Sequence, residues 1–171
     1  VKLGCMGAHG TGKSTFALRL AASLKDLSPD ESVGVLLEAV RSCPWPVNKQ
    51  TTDEAQRWIF HRQMIEELEL SARNEIVICD RTILDPLAYS ERAGLGDLVD
   101  AYMPAALEWM ETYDEIYFLR PNGIIAADGF RDTDPQFQKE IDAILERYVN
   151  AFGISVAQVI LDEKELTGGK A

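Results

Sequence analysis

Apolar residues change their spacing several times along the chain, and each change marks an element. Leu3-Gly4-Cys5-Met6 is a short run without polar side chains, the pattern of a strand buried on both faces. From Phe16 the period lengthens: Phe16, Ala17, Leu20, Ala21 and Leu24 recur at helical spacing. A polar turn at 25–32, containing Pro29, ends that helix. Residues 33–37 read as a second strand ending at Glu38. The segment 39–48, A-V-R-S-C-P-W-P-V-N, has prolines on both sides of Trp45. It cannot be a regular helix and is predicted to be a loop. Thr52 or Asp53 is placed to cap a long helix reaching about Arg73. Its predicted inner face is Ala55, Trp58, Ile59, Ile65, Leu68 and Ala72.

The second half repeats the alternation. Ile76 to Cys79 is a third apolar run, followed by Asp80 and a loop that opens a helix near Leu87. Gly94 and Gly96 break that helix, and another is predicted over 97–112, with Pro104 inside it. Residues 115–119 read as the fourth strand and 120–133 as a loop carrying Pro121, Gly123 and Gly129. Asp134 caps and Pro135 starts the last long helix, with a stripe of Phe137, Ile141, Ile144, Leu145, Tyr148 and Phe152 and a stop at Gly153. A fifth strand is predicted at 156–161, and the charged tail from Asp162 is expected to fray. Five strands alternating with helices predict an α/β fold, a parallel sheet with helices on both faces, as one domain over 1–161. In such a sheet ligands gather at the carboxyl ends of the strands.

Composition adds exclusions. The 171 residues are 46% hydrophobic and 26% charged, with a formal net charge of −11. So acidic a chain is not expected to partner nucleic acid or an anionic membrane surface. No apolar run approaches the 18 residues of a membrane span, and no signal peptide is expected because the glycine-rich stretch from Gly7 interrupts the apolar start. Cys5, Cys43 and Cys79 are scattered without metal-ligand spacing, as in a reduced, cytoplasmic protein.

The chemistry concentrates between the first strand and the first helix. Gly7, Gly12, Lys13 and Ser14 fit G-x-x-x-x-G-K-[ST], a loop whose backbone N–H groups turn inward around phosphate oxygens. The helix N-terminus adds partial positive charge there. Gly7, His9, Gly10, Thr11, Gly12, Lys13, Ser14 and Thr15 are the expected nucleotide-binding residues, His9 and Thr11 only as lining. Lys13 is expected on the β- and γ-phosphates of ATP and the Ser14 hydroxyl on Mg²⁺.

Residues at the other strand ends complete the candidate site. Asp80 follows an apolar strand, the position of an acidic residue that holds Mg²⁺ opposite the loop serine. Arg81 either pairs with its neighbour or aims its guanidinium at a substrate or transferring phosphoryl group. Glu38 is a candidate general base for a substrate hydroxyl and Arg41 a candidate for a substrate anion; alternatively they form a surface pair. Phosphoryl transfer must exclude water, and a lid with an arginine excludes water while stabilising charge. Arg131, in the loop that also holds Asp128 and Asp132, is the first lid candidate and Arg120 the second.

Taken together, the G-A-H-G-T-G-K-S-T loop, Glu38 with Arg41, Asp80-Arg81 followed by L-D-P-L-A-Y, and D-G-F-R at 128–131 resemble the small P-loop kinase-like ATP-binding family. That family contains the bacterial nicotinamide riboside kinase domain, and the resemblance covers most of 1–152. It implies strand order 2-3-1-4-5, Lys13 and Arg131 on the nucleotide phosphates, and Ser14 with Asp80 at Mg²⁺. More distantly the chain is similar to deoxynucleoside kinases, which implies Glu38 as base and an acidic-Arg pair after the third strand, matched by Asp80-Arg81. The segment 43–48 departs from the riboside kinase pattern. The expected activity is transfer of the γ-phosphoryl group of ATP to a nucleoside, nucleotide or related small hydroxyl acceptor; the alternative is a nucleotide-binding regulatory module. Asn48-Lys49-Gln50-Thr51 lacks the Asp of a guanine-reading N-K-x-D.

Overall fold

The computed structural model describes residues 1–37, 39–123, 134–162 and 165. Its strands are β1 (Lys2–Met6), β2 (Val33–Leu36), β3 (Ile76–Cys79), β4 (Glu115–Leu119) and β5 (Ala157–Val159). The helices are α1 (Lys13–Leu27), α2 (Asp53–Ser71), α3 (Leu84–Arg92), α4 (Gly96–Met110) and α5 (Pro135–Phe152). All strand pairs are parallel, in the order β2-β3-β1-β4-β5. The chain moves outward from β1 on one side, then crosses back over β1 between β3 and β4. The loop after β1 therefore opens at the point where the strand order reverses, the crevice where parallel sheets bind ligands.

Alternation along β1 divides the core into two layers. Leu3 and Cys5 pack with Ala17 and the partly buried Phe16, Leu20 and Leu24 of α1. Met6 faces the other layer, with Phe60 of α2, Leu84 and Leu87 of α3, Ala106 of α4 and Phe137, Ile141 and Leu145 of α5. The caps agree with the sequence: the Thr52 hydroxyl accepts from Ala55 N–H at 3.3 Å, Asp134 accepts from Gln136 N–H at 2.9 Å, and Gly153 ends α5 at φ 63°. Residues 39–48 hold no α-helix, only a short 3₁₀ turn at Ala39–Ser42 and the start of another at Asn48–Gln50. Helix α4 runs through Pro104. Among the described residues no helix is long and apolar enough to cross a membrane.

Two predicted faces are corrected. Ile65 and Leu68 are 48% and 59% exposed and Ala72 is also exposed, whereas α2 buries Gln56, Phe60, Gln63 and Glu67 beside Ala55 and Ile59. The reason is a buried carboxylate that the apolar pattern cannot reveal. Glu67 receives hydrogen bonds from Trp109 Nε1, Tyr113 Oη and Gln63 Nε2 at 2.6–2.7 Å and pairs with Lys2 Nζ at 2.5 Å. Lys2 Nζ also lies 4.6 and 4.2 Å from the ring centres of Trp109 and Tyr113. Phe152 ends the α5 stripe at 44% exposed, because the helix stops there. Trp109→Phe keeps the ring under Lys2 but removes one donor from Glu67. It is expected to cost about 1–3 kcal/mol in urea unfolding; an unchanged midpoint would contradict the described role of the indole N–H.

Candidate active site

The turn from β1 to α1 is set by backbone geometry. Gly7, Gly10 and Gly12 have φ of 147°, 75° and 85°. At Gly7 a β-carbon would also lie 2.4 Å from the Leu119 carbonyl oxygen, so this position has room for glycine alone. Gly12 is the left-handed N-cap of α1, and its carbonyl accepts from Phe16 N–H at 2.9 Å. Lys13 is buried and folds back over the loop, donating to the carbonyls of Gly7 at 2.7 Å and Ala8 at 2.6 Å. Thr11 Oγ1 donates to the Ala8 carbonyl at 2.9 Å.

The ends of β1 and β3 converge here. Ser14 Oγ donates to Asp80 Oδ2, and Asp80 is 2% exposed, its own N–H bonded to the Leu36 carbonyl at 2.9 Å. A hydroxyl and a carboxylate side by side are hard oxygen donors, the set that suits Mg²⁺. Thr15, next along α1, is half-buried. His9, expected only to line the loop, is fixed from several sides. Its Nδ1 lies 3.0 Å from Tyr89 Oη, its ring centre is 4.9 Å from that of Phe137, and its carbonyl accepts from Gln138 Nε2 at 2.7 Å.

Arg81 is next in sequence and meets α3. Its NH1 is 3.9 Å from Asp85 Oδ1, and its guanidinium carbon is 5.1 Å from the Tyr89 ring centre. Asp85 is fully buried; burial pushes its carboxyl pKa up, while Arg81 first and then Lys13 and the Thr82 hydrogen bonds pull it back. Arg81, Gln56 and Ile59 of α2, Val40, Val47, Pro86 and Tyr89 line a small cleft. Gln56 Nε2 donates to Thr51 Oγ1 at 2.8 Å, and its buried Oε1 has no hydrogen-bond partner among the described residues.

The structure thus brings together Gly7, His9, Gly10, Thr11, Gly12, Lys13 and Ser14 with Asp80 and Arg81. Arg41 is exposed on the turn whose Val40 lines the cleft. Arg120 is engaged by α5 instead, with NH2 at 2.9 Å from Asp142 and NH1 at 2.8 Å from Glu146. Asp142 is raised by desolvation and drawn back by Arg120. Glu38, Arg131, Asp128 and Asp132 lie outside the described residues, as do 124–133 of the expected lid and most of the tail. Sequence reasoning missed Gln56, Asp85 and Gln138 as site residues. The signal for Asp85 was present in L-D-P-L-A-Y, where Asp85 and Tyr89 stand one helical turn apart.

A family model described as an AAA domain matches residues 4–165. No match was found among curated proteins. Among solved structures, deoxyadenosine kinase from M. mycoides with bound dATP superposes with a TM-score of 0.67 at 16% identity, covering 98% of this chain and 96% of that one. The same enzyme with products dCMP and a flexible dCDP bound gives 0.64 at 14% identity, over 98% and 95%. Thymidylate kinase from Ehrlichia chaffeensis gives 0.61 at 17%, over 93% of this chain and 86% of that one. At these identities the likeness is one of fold.

Proposed function

Because the chain belongs to the AAA domain family, with a P-loop fold of the nucleoside and nucleotide kinase kind, we propose that it is a small-molecule kinase. It moves the γ-phosphoryl group of ATP to a nucleoside, nucleotide or related hydroxyl compound. The observation that carries this reading is the Ser14–Asp80 contact beside the glycine loop, with Arg81 next in sequence lining a separate cleft. A nucleotide-binding module needs the first part; a second cleft with its own guanidinium suits an acceptor.

The residues fit Mg-ATP. When bound, it supplies the transferable phosphoryl group and the cation that neutralises its oxygens. Loop N–H groups and the start of α1 hold the phosphates. Lys13, whose ammonium now donates to the Gly7 and Ala8 carbonyls, would donate to phosphate oxygens held by the same loop. Ser14 and Asp80 would hold the cation. Arg81 orients the acceptor or stabilises charge on the transferring group, since its fork matches phosphate oxygens. From sequence position, Glu38 takes the proton of the acceptor hydroxyl, Arg41 binds a substrate anion, and Arg131 closes over the phosphates.

The cleft supports a nucleoside-like acceptor. Its walls are apolar and the buried Gln56 carboxamide offers an acceptor among them, but the cleft holds only about 20 Å³, so a planar ring enters only if the walls part. The solved kinases of this fold act on deoxyadenosine and thymidylate, and one was seen with dATP. A net charge of −11 argues against a polynucleotide acceptor.

The test is the metal dependence of Asp80→Asn. ATP binding without Mg²⁺ is expected to stay near wild type, while Mg²⁺-dependent turnover falls roughly 10- to 100-fold. Superimposable Mg²⁺ titrations for the two proteins would contradict the assignment.

A further inference from the structure

Helix α3 meets the phosphate loop through two side chains one turn apart. Asp85 Oδ1 accepts the Gly7 N–H at 3.2 Å, and the Tyr89 hydroxyl accepts the His9 N–H at 3.1 Å. The same two residues flank Arg81: the Asp85 carboxylate is 3.9 Å from its NH1, and the Tyr89 ring lies under its guanidinium. The second oxygen of Asp85 accepts from Thr82 N–H and Thr82 Oγ1, both at 2.8 Å, fixing the turn directly after Arg81. Asp85 has no part in the transfer described above, and Tyr89 enters it only as a wall of the cleft.

We propose that Asp85 and Tyr89 are positioning residues that form a two-pronged clamp between the phosphate loop and Arg81, so that filling the loop with phosphates is felt at the acceptor-side guanidinium. Buried N–H groups must have acceptors, so the entrance of the loop cannot shift without carrying Asp85 and Tyr89 with it. Asp85 is fully buried and shares its charge between Gly7, Thr82 and Arg81. Any change in its hold on Gly7 changes its pull on Arg81, because charges at this depth are weakly screened. The coupling rests on the reading of the loop as a nucleotide site; the clamp itself is a property of the chain without nucleotide.

The experiment uses the whole chain, with amide exchange and ¹⁵N spectra recorded with and without Mg-ATP. In the ligand-free protein Tyr89→Phe is expected to speed exchange at His9 about 10-fold, and Asp85→Asn to do the same at Gly7. Tyr89→Phe keeps the ring on Arg81 and serves if Asp85→Asn does not fold. Mg-ATP is expected to shift the Arg81 Nε signal in wild type, and to shift it by less than half as much in either variant. A merely structural role would leave that shift intact. Unchanged exchange at His9 in Tyr89→Phe, or an Arg81 shift as large in the variants as in wild type, overturns the proposal. If wild type shows no Mg-ATP binding while the exchange rates change as expected, the nucleotide reading and the coupling fall and the clamp stands. If ATP binds and the exchange rates do not change, the clamp falls alone.

Discussion

Lys13→Ala is expected to lower phosphoryl transfer by about 10²- to 10³-fold and to weaken ATP binding, while the protein still folds. The magnitude is that of removing one donor aimed at developing charge in a site that excludes water. Lys13 is 6% exposed and its ammonium already lies among the loop carbonyls, within 2.6–2.7 Å of Gly7 O and Ala8 O. It needs no conformational search to reach a phosphate at the loop. The fold survives because the core contact at this turn comes from Ala17, one helical turn further on, and not from Lys13. Calorimetric titration with ATP, single-turnover transfer and circular dichroism check this together. A folded variant with wild-type affinity and turnover would remove Lys13 from the site.

Gly7→Ala is expected to destabilise the protein by roughly 2–6 kcal/mol, or to prevent folding. Two effects add. A φ of 147° is strained for any residue with a β-carbon, worth about 1–3 kcal/mol. The added carbon would lie 2.4 Å from the Leu119 carbonyl oxygen, which belongs to the last residue of β4 and cannot move without disturbing its pairing with β5. Overpacking of this kind costs about 1–3 kcal/mol more. Urea unfolding measures it, with Gly96→Ala as the contrast, since a β-carbon there meets no atom within 4 Å. Equal unfolding midpoints for the two variants would contradict the geometry at Gly7.

What the sequence made legible was local or periodic. The phosphate loop is legible because its shape is carried by the backbone, and so by the positions of Gly7, Gly12, Lys13 and Ser14. Asp80 is legible because an apolar strand ends one residue before it. The caps at Thr52, Asp134 and Gly153 are legible because each satisfies neighbours within three or four residues. The inner face of α2 was misread because burying Glu67 depends on Lys2, Trp109 and Tyr113, which only the fold brings to it. Spacing along α2 favours Ile65 and Leu68, yet the helix turns them outward to place that carboxylate. Gln56 and Asp85 were missed for a related reason. Each is a polar residue on a helix, and its meaning comes from the cleft or from the loop amide it meets across the sheet's carboxyl edge. The partners of Arg120, the second lid candidate, were likewise not legible, because Asp142 and Glu146 lie a helix away in sequence.

Transfer of the γ-phosphoryl group to a small acceptor is read out with γ-labelled ATP. The protein with Mg²⁺ is incubated with a panel of nucleosides, nucleoside monophosphates and nicotinamide riboside, and the labelled products are separated. Label is expected in a phosphorylated member of the panel, with one ADP formed per label transferred and transfer at least about 100-fold slower in Lys13→Ala. ATP binding with label appearing only as inorganic phosphate, whatever acceptor is supplied, would contradict it.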